Sequence, residues 1–289
     1  MPATRALIAT VFALAAAPAF AAAAGASPPP SAKPNAPHAA TQSAAQPTTP
    51  PPKPAKATPQ QRAEAERLPP LARAAFWARE VDIDPADLPA RLNLAKALRA
   101  LGKYEEAAAA ADQILVIQPD NLEALLESAR ARVAANEGFY AIPDAQRAEQ
   151  LAPRDWRPVA VLAIALEQSD RDAEALAAHK RALALAPDNP ATLTNLGLYL
   201  AAHGDAAAAE PLLRRAAAAP GAGAPERQNL ALVLGLEGKY AEAEQLERQD
   251  LPPEVVASNL AYLRAASAPS ATAGWTPTTR TWDSLRAQP

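Results

Sequence analysis

Residues 88–121 read LPARLNLAKALRALGKYEEAAAAADQILVIQPDN, and the pattern of small and large residues in this stretch returns at a fixed interval of 34 residues. Three series with this spacing run along the chain: Ala95, Ala129, Ala163, Gly197 and Ala231; Ala107, Ala141, Ala175, Ala209 and Ala243; and Pro85, Pro119, Pro153 and Pro187. A fixed period of this length predicts a chain that stacks one small helical unit on the next.

The period is that of the tetratricopeptide repeat (TPR), in which each unit is a helix, a turn and a second helix. The units begin at Leu88, Leu122, Trp156, Pro190 and Ala224. Small residues at positions eight and twenty of each unit let its two helices cross closely. Position fifteen is always Gly, Asn or Asp, which favour a turn. The sequence therefore predicts an all-α fold, a TPR superhelical solenoid of about five helix-turn-helix repeats with helical caps.

The repeat register and the composition together predict the domain boundaries. They are a signal peptide at 1–21, a disordered Pro/Ala-rich tether at 22–57, N-terminal capping helices at 58–87, five TPR repeats at 88–257 (88–121, 122–155, 156–189, 190–223 and 224–257), a C-terminal capping helix at 253–266 that overlaps the end of repeat five, and a disordered tail at 267–289.

Repeat two departs from the pattern. At its positions seven and eleven, Ser128 and Arg132 stand where the other repeats have leucine, and Pro143 lies in its second helix. Since proline removes one backbone hydrogen-bond donor, we expect this hairpin to be the least well formed and locally loose. Ala178, in the second helix of repeat three, is expected on an exposed helix face.

The first residues have the layout of a secretory signal peptide, with Arg5, a short apolar run and an A-x-A cleavage pattern at 19–21. We therefore expect a secreted mature chain that starts near Ala22. The alternative is an uncleaved membrane anchor. Against it, the apolar run is interrupted by Thr10 and Pro18 and is shorter than the ~20 residues that a spanning helix needs.

The sequence offers little for catalysis or for metal binding. It has no cysteine, which excludes thiolate catalysis, cysteine-ligated metal and a lipid anchor on an N-terminal cysteine. Of the three histidines, His38 lies in the tether, His179 is expected in the core and His203 in solvent. The net charge of −3, without a cluster of basic residues, argues against nucleic-acid binding. We predict no catalytic site, cofactor, metal or small-molecule substrate.

Binding residues are expected on the first helices of the repeats, which line the concave side of such solenoids. The predicted partner-binding groove comprises Asn93, Lys96, Arg99, Arg130, Arg157, Thr194, Asn195, Leu198, Gln228, Asn229 and Leu232. It is basic and mixed in repeats one to three and neutral to apolar in repeats four and five. We expect the two leucines to face outward from the repeat core. The asparagines at position six either bind the backbone of a peptide or serve the repeat itself, and both interpretations stand.

The stretch 227–266 reads RQNLALVLGLEGKYAEAEQLERQDLPPEVVASNLAYLRAA. It resembles the last repeat and cap of the TPR proteins of the tight adherence (Tad, Flp-type) pilus system, the TadD family, and the likeness extends over most of 88–266. The resemblance implies a periplasmic protein of a Gram-negative bacterium that supports pilus and secretin assembly through contacts with pilus or secretin components. Many members of the family resemble lipoproteins with a lipidated cysteine, which this chain lacks. The alternatives are a periplasmic chaperone that holds a segment of an exported protein and, more remotely, a regulator of a cell-wall enzyme.

Overall fold

The computed structural model describes residues 55–267, and internal contacts divide the chain into two units, Met1–Leu185 and Ala186–Pro289. The predicted signal peptide, all but the last residues of the tether and the tail after residue 267 lie outside the described residues. Within residues 55–267 every regular element is an α-helix. No helix in that range is both long and apolar enough to cross a membrane.

Both units are built from helix hairpins. The first contains α1 (Pro59–Ala65), α2 (Pro70–Ile83), α3 (Leu88–Ala100), α4 (Tyr104–Ile117), α5 (Leu122–Ala134), α6 (Gly138–Leu151), α7 (Trp156–Gln168) and α8 (Asp172–Leu185). The second contains α9 (Pro190–Ala202), α10 (Ala206–Ala217), α11 (Ala224–Leu236), α12 (Tyr240–Glu247) and α13 (Pro253–Ser267). Each helix from α3 to α12 packs against its partner in a hairpin, and α3, α5, α7, α9 and α11 begin at the residues that open the predicted repeats. The predicted all-α TPR fold is confirmed.

The turn inside each hairpin depends on one backbone conformation. Position fifteen has a positive φ in every repeat: Gly102 76°, Asn136 61°, Asp170 56°, Gly204 86° and Gly238 78°. Glycine adopts this left-handed conformation without a steric penalty, and asparagine and aspartate tolerate it better than other residues. The small polar residues predicted at the turn therefore reverse the chain between the two helices.

The start of each first helix is fixed by a polar side chain that sequence analysis did not single out. Asp87, Asn121, Asp155 and Asn189, again 34 residues apart, each accept a hydrogen bond from a backbone amide in the first turn of the helix that follows. Such N-caps contribute about 1 kcal/mol each. At the fifth repeat the equivalent residue is Gly223, which has no side chain that could accept such a hydrogen bond. Its backbone amide instead donates to the Glu226 carboxylate at 2.8 Å.

The hairpin of repeat two is fully formed, although its sequence predicted the least well-formed one. The Ser128 hydroxyl lies 2.8 Å from Asp112 Oδ1 and 2.7 Å from Asp144 Oδ2, and Arg132 forms ion pairs with both carboxylates. These contacts connect α4, α5 and α6 where the other repeats use leucine. The helix α6 continues through Pro143 from Gly138 to Leu151. The expectation was wrong because a hydrogen-bonded ionic cluster replaces the missing apolar contact.

The close helix crossings leave no room for larger side chains. Ala95, Ala129, Ala163 and Ala231 have no exposed surface. At Gly197, the same position of repeat four, a Cβ atom would lie 2.9 Å from Leu213 Cγ of α10. Ala178 is also buried, with 2% of its surface exposed, so its assignment to an exposed face was wrong. It lies three residues after Ala175 and therefore shares the inward face of α8.

We predict that Gly197→Leu lowers the free energy of unfolding by ~1 to 3 kcal/mol, because the new side chain must displace Leu213. The matched control is Ala207→Leu on the exposed face of α10, which should change stability by no more than about 0.5 kcal/mol. Urea denaturation followed by circular dichroism measures both. Equal midpoints for the two variants would contradict the assigned crossing.

A buried carboxylate lies where the last hairpin meets the C-terminal cap. Glu247 of α12 is 5% exposed, and Asn259 of α13 donates to its Oε1 from 3.2 Å. Its Oε2 has no hydrogen-bond partner among the described residues. Burial raises the pKa of Glu247, and the single hydrogen bond from Asn259 only partly opposes this. The ionised form is thus disfavoured in the folded protein.

We predict that Glu247→Gln stabilises the protein near pH 7 by on the order of 1 kcal/mol. Because the folded pKa is raised, the glutamate is best tolerated below its unfolded pKa, and stability is lost as the pH rises through the folded pKa. The difference between variant and wild type should therefore shrink toward pH 4. Thermal unfolding across this range measures it, with Glu254→Gln on the exposed start of α13 as the control. A constant difference at every pH would contradict the interpretation.

Candidate functional site

An open cavity of about 430 Å³ lies in the first unit. It is lined by Glu66, Arg73, Asn93, Lys96, Arg99, Ala100, Glu123, Glu127, Arg130 and Arg157. All five groove residues predicted for repeats one to three are in this set. The structure therefore brings them together at one place, which we call the basic pocket.

Helical spacing places these side chains on one surface. Asn93, Lys96 and Arg99 follow one another at intervals of three on α3, and residues that far apart share a helix face. Glu127 and Arg130 are spaced in the same way on α5. Both helices are first helices of their repeats, and they pack against each other. Repetition of the unit thus builds one wall of the pocket from two helices.

The N-terminal capping segment provides two further lining residues, which sequence analysis missed. Glu66 follows α1, and Arg73 lies on α2. Arg73 Nη1 donates to the carbonyl oxygen of Glu66 at 3.3 Å, and its Nε is buried without a hydrogen-bond partner in the described part of the chain. These residues precede the repeats, so no 34-residue spacing marks them.

Two of the pocket arginines are held by carboxylates. Arg99 Nε lies 2.6 Å from Glu127 Oε1, and Glu127 has no exposed surface. Arg157 Nη1 lies 3.0 Å from Glu123 Oε1, while its Nη2 lies 2.7 Å from Asp155 Oδ2. Removing Arg99 would leave a buried carboxylate without its counter-ion, which is costly. These arginines therefore maintain the shape and charge balance of the pocket.

Lys96 and Arg130 have no such partner. Within residues 55–267 neither side chain forms an ion pair or a hydrogen bond, although both are half-buried and line the pocket. Desolvation lowers the pKa of Arg130, and the nearby charge of Glu127 only partly offsets it. Apart from the ion pairs of Arg99 and Arg157, the lining has three cations, Arg73, Lys96 and Arg130, and one carboxylate, Glu66. Two positive charges remain for an anion.

The second unit holds the other predicted groove residues, and two of them were assigned wrongly. Leu198 and Leu232 are each 6% exposed, so they do not face outward from the repeat core. The first helices α9 and α11 pack side by side, and leucine at position nine is removed from water there. The four polar residues are half-buried: Thr194, Asn195, Gln228 and Asn229.

The two histidines within residues 55–267 have the surroundings expected from sequence, and His38 lies outside the described residues. His179 is 2% exposed, and its Nε2 lies 3.6 Å from Glu167 Oε2 inside repeat three. His203 is exposed and stacks on Tyr199 with ring centroids 4.0 Å apart. Among the described residues, no group of three or more His, Asp or Glu side chains is placed to hold a metal ion.

Two parts of the chain match family models of the tetratricopeptide repeat, residues 88–131 and 191–219. A thermophilic TPR protein of Thermus thermophilus is 23% identical, with a TM-score of 0.55 over 62% of this chain and 99% of that one. A TPR protein of Parabacteroides merdae is 14% identical, with a TM-score of 0.59 over 70% of this chain and 80% of that one. A search of curated protein sequences finds no match.

The fold and the comparisons point to one class of function. TPR domains bind protein or peptide partners and generally serve as scaffolds, and no enzyme family is indicated by the matches. The helix hairpins, the left-handed turns and the two matched segments agree on the nature of the repeat: the described part of this chain has the fold of TPR proteins, and two of its segments match the tetratricopeptide repeat.

Proposed function

We propose that this protein is a non-enzymatic scaffold of the periplasm that supports assembly of a Tad/Flp-type pilus and its secretin through protein-protein contacts. The observation that carries the proposal is the basic pocket. Its half-buried cations Lys96 and Arg130 have no counter-ion and are available to bind an anionic group. The resemblance of residues 227–266 to the TadD family supports the pilus assignment, and the leader pattern at 1–21 supports export.

The pocket suits a segment of protein better than a compact metabolite. It is open, and its lining consists almost entirely of charged and amide side chains from several helices. Small-molecule sites are usually concave and mostly apolar, with only a few polar groups. A surface of this kind instead favours association that is steered by charge, with rates that depend on salt.

A periplasmic chaperone that holds part of an exported protein is the second candidate. The same open and polar pocket favours it, because an extended segment can lie in such a site without a folded partner. The two candidates differ in what occupies the pocket inside the cell. A scaffold binds pilus or secretin components, whereas a chaperone binds the exported polypeptide before it folds.

We predict that a photo-reactive phenylalanine analogue at Asn93 cross-links the protein to a pilus-assembly or secretin component in intact cells. Asn93 lines the basic pocket, so a bound partner must pass within reach of it. The same analogue at Ala173, exposed on α8 and outside the pocket, is the control.

Mass spectrometry identifies the cross-linked products. Cross-links from Asn93 to exported polypeptides alone would favour the chaperone. Identical products from Asn93 and Ala173 would contradict a binding role for the pocket.

We also predict that the chain purified from the periplasmic fraction has lost residues 1–21. The A-x-A pattern at 19–21 specifies cleavage after Ala21. Intact-mass spectrometry of the periplasmic and membrane fractions measures this. An uncleaved chain confined to the membrane fraction would contradict the predicted export and favour an anchor.

A further inference from the structure

We infer that the basic pocket binds a protein segment through two of its acidic side chains, and that Lys96 and Arg130 are the residues that receive them. The inference rests on the proposed function only in that a partner protein supplies the segment. It assigns the binding to two named cations among the five that line the pocket.

Three of those five cations are already engaged: Arg99 and Arg157 by carboxylates, and Arg73 by the carbonyl oxygen of Glu66. The guanidinium groups of Arg99 and Arg157 already contact carboxylates at 2.6 Å and 3.0 Å. An incoming carboxylate at either arginine would meet the negative charge of the carboxylate already paired there, and at Arg99 that carboxylate is wholly buried and depends on the arginine for its charge balance. These two arginines are therefore poor receivers for an incoming anion.

The two remaining cations lie at equivalent positions of neighbouring repeats. Lys96 and Arg130 both occupy position nine of their repeats, on helices α3 and α5, which pack side by side. One period of the repeat thus sets two unpaired cations along one wall of the same pocket. Two carboxylates from neighbouring parts of an extended segment can contact both of them.

The position of Arg130 carries an energetic cost in the free protein. Burial without a counter-ion costs a charged side chain free energy, and desolvation lowers the pKa of this guanidinium. An incoming carboxylate supplies the missing counter-ion. Binding therefore removes the cost of burying the Arg130 charge without a counter-ion, and this contributes to the affinity.

The net charge of the lining limits how acidic the ligand is. Three carboxylates belong to the lining, namely Glu66, Glu123 and Glu127. After internal pairing the pocket has two surplus positive charges, so additional negative charges on the ligand would meet repulsion. The net charge of −3 for the whole chain also disfavours a long polyanion such as a nucleic acid. A segment with two carboxylates is the best match.

The test uses the full chain and fluorescein-labelled peptides whose ends are blocked by acetylation and amidation. One peptide has two glutamates separated by a single residue in a Gly/Ser background, so that both can face the same side of an extended chain, and the other has glutamines in their place. A third peptide has no glutamate and a free C-terminal carboxylate, which separates side-chain recognition from recognition of a chain end. Fluorescence anisotropy at low ionic strength reports the binding, because screening weakens contacts of this kind at higher salt.

We expect the glutamate peptide to bind at least about tenfold more tightly than the other two, a difference that corresponds to ~1.4 kcal/mol. The double variant Lys96→Gln with Arg130→Gln should abolish this preference. Arg130→Lys, which retains the charge, should keep most of it. The matched control, Arg154→Gln with Lys180→Gln, removes two exposed cations of the same unit outside the pocket and should leave affinity within about twofold.

Several results would overturn the inference. The glutamate and glutamine peptides could bind equally well, or the glutamate peptide could show no saturable binding up to about 1 mM. The pocket and control variants could also lose the same affinity for the glutamate peptide while circular dichroism shows that all of them are folded. Displacement of the peptide by inorganic phosphate at equal concentration would also overturn it, since the pocket would then be a general anion site.

The cross-linking experiment separates this inference from the proposed function. If a pilus component cross-links at Asn93 and still binds the Lys96/Arg130 double variant, the proposed scaffold function is supported and the assignment of binding to these two cations is wrong. Selective glutamate-peptide binding in a protein that cross-links to no pilus or secretin component would do the reverse.

Discussion

The close approach of two helix backbones within each repeat is the constraint on which the structure depends. It requires a side chain no larger than a methyl group at position eight, and Ala95, Ala129, Ala163 and Ala231 fill that position without any exposed surface. Gly197 marks the tightest case, because Leu213 already occupies the space beside it. Once this contact is fixed, the rotation of each first helix about its own axis is fixed as well. The opposite face of that helix is then available for polar residues.

This geometry explains why charged residues occupy the repeats without disturbing them. In repeat two the apolar contacts are replaced by Arg132 and Ser128, which together bridge the carboxylates of Asp112 and Asp144. Burial raises the pKa of Asp144 even though Ser128 and Arg132 oppose it, so the cluster has an energetic cost. The helices α5 and α6 nevertheless form a complete hairpin. A fully connected polar group therefore replaces a leucine contact, whereas an unconnected one would not.

The 34-residue period was sufficient to predict the all-α fold, the residues that open the first helices and the turn conformation, because each depends on local residue type. The capping residues were also accessible, since Asp87, Asn121, Asp155 and Asn189 have the same spacing. The orientation of Leu198 and Leu232 was not, because position nine holds half-buried cations in repeats one and two and packed leucine in repeats four and five. Periodicity records which positions are equivalent. It does not record what packs against each one.

The candidate site was predictable in part for the same reason. Repeat positions identified Asn93, Lys96 and Arg130 as residues of one surface, and the structure places them around one cavity. The contribution of Arg73 could not be predicted, because it lies before the repeats begin. Nor could the sequence show which arginines are engaged by carboxylates, since the contact between Arg99 and Glu127 joins different repeats.

The residue at position six determines which chemistry each unit offers to a partner. In the second unit it is asparagine in both repeats, Asn195 and Asn229, and an amide can pair with the backbone of an extended peptide whatever its sequence. In the first unit Glu127 interrupts that series and is buried against Arg99. A continuous row of backbone-binding amides is therefore absent from that part of the described structure. Under the proposed mode of binding, recognition in the first unit relies mainly on the side chains of the ligand, and the free charges there favour acidic ones.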